Sequence, residues 1–516
     1  MPIEFKNEPL IDFNQPINRR KMEQAIMSVD RQLGKEYPLF IGAKKIKSPE
    51  KFASYNPAHK DTVVGIFPKA TPEQAEQAVQ AAVRKFEEWK DVSVKRRAEI
   101  LFRAANIMRR RRLEINAWMI NEVGKNWVEA DGDTAEAIDF LEFYAREALR
   151  LSGPQPLTKI AGEKNEMHYI PLGVGLILPP WNFPLAILTG MASAAIVTGN
   201  TVVLKPSSDS PMMGILFVEI MLEAGLPMGV VNYITGSGGA IGDYLVSHPK
   251  VRFIAFTGSK EVGLRINELA AKPHEEQIWI KRVIAEMGGK DSIIVDRDTN
   301  LDEAVAGVVA SAYGFQGQKC SACSRVIVAR ELYNAFIRKV AERTEGLQVG
   351  DPKTNHSIGP VINERSMKSI MKYIERGVKE GGRLISGGVK TSGNGWYLQP
   401  AIMADVKPRH TISQEEIFGP VLAVLKSKDF DDALRIANNT EFGLTGSLYT
   451  RDRAKIERCK REFFVGNLYF NRKCTGALVG VHPFGGFNMR GTDSKAGGRD
   501  YLLLFTQAKT ISEKTK

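Results

Sequence analysis

Cysteine is scarce in this chain: four residues, Cys320, Cys323, Cys459 and Cys474, among 516. That argues against a disulfide-stapled secreted scaffold and for a reducing compartment. Long apolar runs are absent, so no stretch reads as a membrane span. The opening Met1-Pro-Ile-Glu-Phe-Lys-Asn-Glu lacks the apolar core of a signal peptide. The expected location is therefore cytoplasmic. No internal repeat, low-complexity segment or nucleic-acid-binding motif occurs. The dinucleotide fingerprint Gly-x-Gly-x-x-Gly and the P-loop are missing too. What is present is ordinary for a globular protein of two or three domains: 43% hydrophobic and 25% charged residues. The net charge of +12 is high but spread along the chain. Its densest run, Arg109 to Arg112, lies in an amphipathic helical pattern and reads as a solvated helix face, so no nucleic-acid or membrane partner is expected.

One cysteine stands in unusual company. Phe315-Gln-Gly-Gln-Lys-Cys-Ser-Ala-Cys-Ser-Arg325 surrounds Cys320 with small, polar and basic residues. A free cysteine is by default a buried, inert core residue. This setting keeps the thiol reachable, and Lys319 or a nearby helix N-terminus would stabilise the thiolate. Nucleophilic catalysis is the first reading. Cys323, three residues on, offers a redox pair or half a zinc site as a second. Zinc needs further ligands, and Cys459 and Cys474 come with no histidine array; no metal is expected.

Along the chain, helical periodicity dominates from Thr71 to Leu151, with breaks expected near Gly124, Gly132 and Ser152. Thr71-Pro-Glu-Gln74 has the pattern of a capping box. Buried strands then alternate with helices: Val174–Leu178, Thr201–Leu204, Val230–Ile234 and Phe253–Phe256, with Ile278–Glu286 returning as a strand. Such alternation implies a parallel sheet whose ligands bind at the carboxyl ends of its strands. Trp181 and Asn182, Lys205, and Thr257-Gly258-Ser259 fall at those ends. Gly258-Ser-Lys-Glu-Val-Gly263 places glycines at a strand-to-helix turn, where N–H groups can meet a phosphate. By itself the pattern reads first as a plain tight turn. Glu286-Met-Gly-Gly-Lys290 sets a carboxylate before two glycines. A second alternating unit starts near Ile293, and the tail ends in strand-like Leu502–Phe505 and Thr510–Ile511.

Taken together, Pro180-Trp-Asn-Phe-Pro184, Leu204-Lys-Pro206, Phe256-Thr-Gly-Ser259, Glu286-Met-Gly-Gly-Lys290, Gly317-Gln-x-Cys320, Glu416-Ile-Phe-Gly-Pro420 and Pro483-Phe-Gly-Gly486 resemble, in order, the motifs of the aldehyde dehydrogenase superfamily. The resemblance runs from about Asn56 to Thr510. It implies an α/β fold with a Rossmann-type NAD-binding domain (1–152 and 171–287), an α/β catalytic domain (288–490) and an oligomerisation flap (153–170 and 491–516). The strands of that flap would add to a partner's sheet in a domain-swapped homodimer or larger assembly. By the same resemblance Cys320 is the nucleophile, Asn182 with the Cys320 N–H forms the oxyanion hole, and Glu286 is the general base. Pro180, Trp181, Lys205, Ser208, Gly258, Ser259, Gly263, Glu416 and Phe418 would hold the cofactor. Lys205 would contact the adenosine ribose, Ser259 the pyrophosphate, Glu416 the nicotinamide ribose, and Phe418 would lie beside the nicotinamide.

Within the superfamily, Val123-Gly-Lys-Asn-Trp-Val-Glu-Ala130, Ala135–Phe140, Gly466-Asn-Leu-Tyr-Phe-Asn-Arg472 and Thr475-Gly-Ala-Leu-Val-Gly480 are similar to the pyrroline-5-carboxylate (glutamate-semialdehyde) dehydrogenases. That implies oxidation of glutamate 5-semialdehyde to glutamate, the second step of proline degradation, since no proline dehydrogenase domain precedes the matching region. Another semialdehyde, such as succinate semialdehyde, is the alternative substrate. Gly476, Ala477 and Ser321 would meet the α-carboxylate, Glu136 the ammonium, and Phe183 and Phe470 the aliphatic chain. Two departures stand out. Lys205-Pro-Ser-Ser208 lacks the glutamate that many relatives carry in Lys-Pro-x-Glu, so NAD is the expected cofactor with NADP use left open. Gly485-Gly-Phe-Asn-Met-Arg-Gly491 replaces Gly-Gly-Phe-Lys-x-Ser-Gly, which makes Asn488 and Arg490 unusual.

Overall fold

The computed structural model describes residues 4–153 and 155–515; Pro154, at the start of the expected flap, lies outside them. Two seven-stranded sheets organise the chain. The first runs Arg282–Glu286, Val251–Thr257, Val174–Leu178, Thr201–Leu204, Val231–Tyr233, Leu39–Ile41, Lys44–Ile46. Its first five strands are parallel, and the last two close the edge as an antiparallel hairpin. The second runs Arg383–Ser386, Ala401–Val406, Val421–Ser427, Cys323–Ala329, Asp291–Val295, Thr445–Tyr449, Asn467–Phe470, parallel except for its first strand.

Both sheets are buried on two faces, which is why their strands read as unbroken apolar runs. In the first, Ile177, Val202 and Leu204 enter one core while their neighbours Leu176 and Val203 enter another. In the second, Ile293, Val326 and Val424 face one core and Ile294, Ile327 and Ala423 the other.

The helical stretch resolves into Pro72–Trp89, Val94–Arg110, Arg112–Val123 and Trp127–Leu151. Thr71 and Gln74 form the expected reciprocal capping box. Gly124, at φ 69°, ends the third helix. Gly132 breaks nothing. It sits inside Trp127–Leu151, where flanking packing outweighs the modest cost of a helical glycine. Two strand expectations are also revised. Only Arg282–Glu286 pairs into the sheet, leaving Ile278 and Ile280 86% and 89% exposed. Tyr501–Phe505 is a 3₁₀ turn, with Tyr501, Leu502 and Phe505 buried in the core. The basic run is neither a patch nor a plain solvated face. Arg109 pairs with Glu8 and Glu142, Arg110 with Glu223, Arg111 with Glu114, and buried Arg112 with Asp131.

Glu163–Pro171 and Thr506–Lys514 form a separate antiparallel ribbon of nine paired residues, most of it exposed. Among the described residues no helix is long and apolar enough to cross a membrane.

Glu122 is fully buried at the start of the helix Pro211–Glu223, where it accepts the Met212 N–H at 2.7 Å. Burial pushes its carboxyl up to about 8, with nearby Asp209 adding to the effect. The native state therefore holds a proton that the unfolded chain releases, and stability falls as pH rises from the ordinary carboxylate range toward 8. Glu122→Gln should cancel this slope. Its melting midpoint should gain on the parent by about 2 °C or more between roughly pH 5 and pH 8 in thermal denaturation. Parallel curves would contradict the assignment.

Candidate active site

The carboxyl ends of the first sheet meet the amino ends of the second. Asn182, just past Val174–Leu178, donates Nδ2 to the Gln318 carbonyl at 3.0 Å, just ahead of Cys323–Ala329. Glu286 ends its own strand, and two glycines follow it. A Cβ on Gly289 would lie 2.1 Å from the Cys320 carbonyl oxygen, and one on Gly288 2.5 Å from Glu416 Oε2. The Gly289 N–H donates to Glu416 Oε1 at 2.9 Å. Only glycine admits the approach of residue 289 to the Cys320 backbone, and it brings Cys320, Glu286 and Glu416 together.

The loop leading to Cys320 is strained. Phe315, Gln316 and Gly317 all adopt positive φ, at 47°, 56° and 66°. A Cβ on Gly317 would lie 2.2 Å from the Gly419 carbonyl. Phe418, at φ 55°, is bent in the same way. Strain of this kind persists where surroundings over-determine it, commonly at functional sites. Here Gln316 Nε2 donates to Pro360 O at 2.8 Å, and Ile362 donates its N–H to Gln318 Oε1 at 2.9 Å.

Cys320 is partly exposed, whereas the other three cysteines are buried; all four are free. Burial of the sulfur pushes the Cys320 thiol up to about 12, and the cation opposing this is Arg490. Arg490 Nη2 lies 3.6 Å from Cys320 Sγ and 2.9 Å from Glu286 Oε2. The stabilising group is thus neither Lys319 nor a helix N-terminus. Lys319 is tied to Glu129 at 2.7 Å, and Cys320 leads into a strand. Cys323 points into the core beneath the second sheet, where its thiol neighbours Cys474 rather than Cys320. The site therefore offers no Cys320–Cys323 redox pair. No cluster able to hold a metal occurs among the described residues.

Glu286 is raised by burial and lowered by Arg490, by the Ser494 hydroxyl it accepts from, and by Lys495. The Cys320 N–H has no acceptor among the described residues. With the second Asn182 N–H it can face an oxyanion.

On the other side of the loop, Lys205 is buried with no carboxylate partner among the described residues. It makes a 3.3 Å bond to its neighbour's carbonyl, and burial lowers it to about 8. Ser208 donates to Gly236 O at 3.4 Å. Ser259 caps the helix Lys260–Ala271 by accepting the Val262 N–H. Pro180 lies partly exposed beside Trp181, whose ring stands edge-on to Phe418 at 5.5 Å. Burial raises Glu416 to about 7. At Gly258 and Gly263 a Cβ would lie 2.5 Å from Phe256 and from Met287 respectively, so the helix Lys260–Ala271 packs closely on the strand ends there.

Toward the helical face, Phe183 lies over Lys125 Nζ at 4.0 Å, and Phe315 is 4.8 Å from the same ammonium. Lys125 and Asp133, both wholly buried, pair at 2.7 Å. Glu136, one turn beyond Asp133, is pushed up to about 8 by burial and by Asp133. Ser321 is 8% exposed. Gly476, at φ 80°, turns its carbonyl and that of Thr475 toward Arg472, leaving the Gly476 and Ala477 N–H groups free of internal partners among the described residues. Phe470 ends the strand Asn467–Phe470, opposite Leu448, and packs partly buried on the core below the second sheet. Lys125 had no assigned role in the sequence; the signal was only its place within Val123–Ala130.

Over residues 44–511 the chain matches the aldehyde dehydrogenase family model, and it belongs to that family. It is 55% identical over 510 residues, 99% of both chains, to the 1-pyrroline-5-carboxylate dehydrogenase of Geobacillus sp. strain WCH70. It is 53% identical over 514 residues to that of Bacillus subtilis strain 168, covering 99% of this chain and 100% of the other. Among solved structures it resembles 1-pyrroline-5-carboxylate dehydrogenase from Thermus with bound NAD, at a TM-score of 0.98 and 48% identity over 100% of both chains.

The Lys125–Asp133 pair underlies the pocket wall, and a buried charge stripped of its partner is costly. Lys125→Met should destabilise the protein by about 3–5 kcal/mol in denaturant unfolding. Adding Asp133→Asn should recover most of that loss; a purely additive double variant would show that the two charges do not depend on each other.

Proposed function

We infer that the protein oxidises L-glutamate 5-semialdehyde, in equilibrium with 1-pyrroline-5-carboxylate, to L-glutamate with NAD, as the second step of proline degradation. The observation that carries the reading is the gathering of Cys320, Glu286 and Asn182 where the two sheets meet, in a chain more than half identical to 1-pyrroline-5-carboxylate dehydrogenases.

The geometry supports the following roles. The Cys320 thiolate adds to the aldehyde carbon, and the Cys320 N–H and Asn182 Nδ2 stabilise the oxyanion. NAD, when bound, supplies the hydride acceptor. The residues suited to hold it are Lys205, an uncompensated buried cation; Ser259 at a helix N-terminus; Glu416; and the Trp181–Phe418 pair. The acyl group remains on sulfur as a thioester. Glu286 then takes a proton from water for hydrolysis, which requires its carboxylate form.

At the substrate's other end, the free N–H groups of Gly476 and Ala477, with the Ser321 hydroxyl, suit an α-carboxylate. Glu136 suits the α-ammonium, whose charge would draw its carboxyl back toward ionisation. Phe183 covers the chain between. Ser208 offers a hydroxyl where many relatives have a glutamate, which removes one barrier to a 2′-phosphate; NAD remains the assigned cofactor.

The two sheets suggest a nucleotide-binding part up to residue 287 and a catalytic part from 288. The exposed ribbon, with Ile278 and Ile280 beside its base, suits self-association. Arg252 links the two by donating to Ile280 O at 2.6 Å and to Gln507 at 3.4 Å. An open strand edge calls for a partner, and a second copy whose sheet edge receives the ribbon fits best. Four free cysteines accord with a cytoplasmic location.

Steady-state NADH formation from pyrroline-5-carboxylate should exceed that from succinate semialdehyde and fall by at least about 10³-fold in Cys320→Ala. NADP should give lower kcat/KM than NAD. Faster turnover of succinate semialdehyde would overturn the substrate assignment while leaving the thioester chemistry standing.

A further inference from the structure

Arg490 is the most conspicuous group that the assigned roles leave unused. Its side chain is 1% exposed. It is carried in by a backbone bridge in which Glu286 pairs antiparallel with Gly491, Met287 donates to the Arg490 carbonyl at 2.6 Å, and Thr492 donates to Ala285 O at 3.0 Å. Two neighbours in the motif serve this path. Asn488, at φ 60°, takes the left-handed conformation that asparagine tolerates better than most residues. Gly491 passes so close to Ala285 that a Cβ would lie 2.1 Å from its carbonyl oxygen. The guanidinium thus enters between nucleophile and base, with Nη2 at 3.6 Å from Cys320 Sγ and 2.9 Å from Glu286 Oε2.

Its hydrogen bonding is incomplete. Arg490 Nε and Nη1 are buried without acceptors among the described residues, and the Glu286 Oε2 contact is an ion pair outside hydrogen-bond alignment. A buried guanidinium in this condition calls for an explanation. Packing alone does not give one, because an apolar side chain would fill the space without the desolvation cost.

We propose that Arg490 is a counter-ion shared by Cys320 and Glu286, supporting one negative charge that sits on either of them. In the resting site the charge lies on Glu286 and the sulfur keeps its hydrogen. Transfer of that proton from Sγ to a Glu286 oxygen leaves thiolate, carboxylic acid and unchanged guanidinium, so the net charge of the trio stays the same. Once the sulfur is acylated it carries no charge. When the Glu286 proton has passed to solvent, the guanidinium pairs with the carboxylate that water activation needs. This rests on the roles assigned above to Cys320 and Glu286.

The other charges facing the trio are mostly of the wrong sign to replace Arg490. Asp291 and Glu416 oppose ionisation of Cys320 and favour a cation at Arg490. Lys495 and Asp493 flank Glu286 with opposite effects, and Ser494 donates to its Oε1. Lys290 faces Glu416 and Asp291.

The test is the pH dependence of iodoacetamide alkylation at Cys320, followed by peptide mapping, in the full chain without aldehyde or NAD. In Arg490→Gln the midpoint should rise by about one unit or more, slowing alkylation about tenfold at neutral pH, and Arg490→Lys should fall between. In the isosteric Glu286→Gln the cation has one anion left to serve, so the midpoint should move the other way. Profiles of Arg490→Gln and Glu286→Gln that both overlay the parent would overturn the proposal, as would a downward shift in Arg490→Gln. If Arg490→Gln shows no cooperative melting transition, the direction of the Glu286→Gln shift decides. Because alkylation needs no turnover, a failed substrate assignment would show in the kinetic assay and leave this result unaffected.

Discussion

The site depends on one steric fact: the backbone after Glu286 passes within touching distance of the backbone at Cys320. Gly289 leaves no room for even a methyl group against the Cys320 carbonyl, and Gly288 none against Glu416. Two sheets with separate cores are joined there through glycines, so the carboxylate ending one sheet and the thiol opening the other share a pocket. The other contacts follow from this approach. Gln318 comes within reach of Asn182, the Gly419 loop closes on Gly317, and the 490–492 segment lies along the exposed side of the Glu286 strand.

Bringing those backbones together buries charge, and the electrostatics of the site are largely the consequence. Burial raises Cys320, Glu286, Glu416 and Glu136. Burial disfavours the anionic form of each. Each anionic role therefore comes with a cation: Arg490 between Cys320 and Glu286, Lys125 and Lys319 near Glu136, Lys290 near Glu416. Lys125 shows the stability side of the arrangement, since its ammonium is held by Asp133 and by two aromatic faces, one of which lines the pocket.

Much of this could be read from the sequence, for identifiable reasons. Strands buried on both faces announce themselves as apolar runs, and Glu286-Met-Gly-Gly and Gly317-Gln-x-Cys320 carry their steric needs in the glycines. Where reading failed, the deciding contact was distant in the chain. Lys319 lies next to Cys320 in sequence but is drawn off by Glu129, whereas Arg490, 170 residues from Cys320, reaches the sulfur. Gly132 passes unbroken through a helix whose neighbours hold it in place. Local pattern ranks candidates by proximity in the chain, and here long-range packing assigned the work.

The central claim is that the aldehyde carbon becomes bonded to Cys320 and that Glu286 is needed to release it. Its most direct measurement is the intact mass of Glu286→Gln after mixing with pyrroline-5-carboxylate and NAD, with the adduct located by peptide mapping. The account predicts a glutamyl adduct on the peptide holding Cys320, formed together with roughly one equivalent of NADH per site and slow to decay. NADH formed at the parent's steady rate with no adduct at any time would mean that Glu286 does not control deacylation. An adduct on another residue would remove Cys320 from the centre of the mechanism.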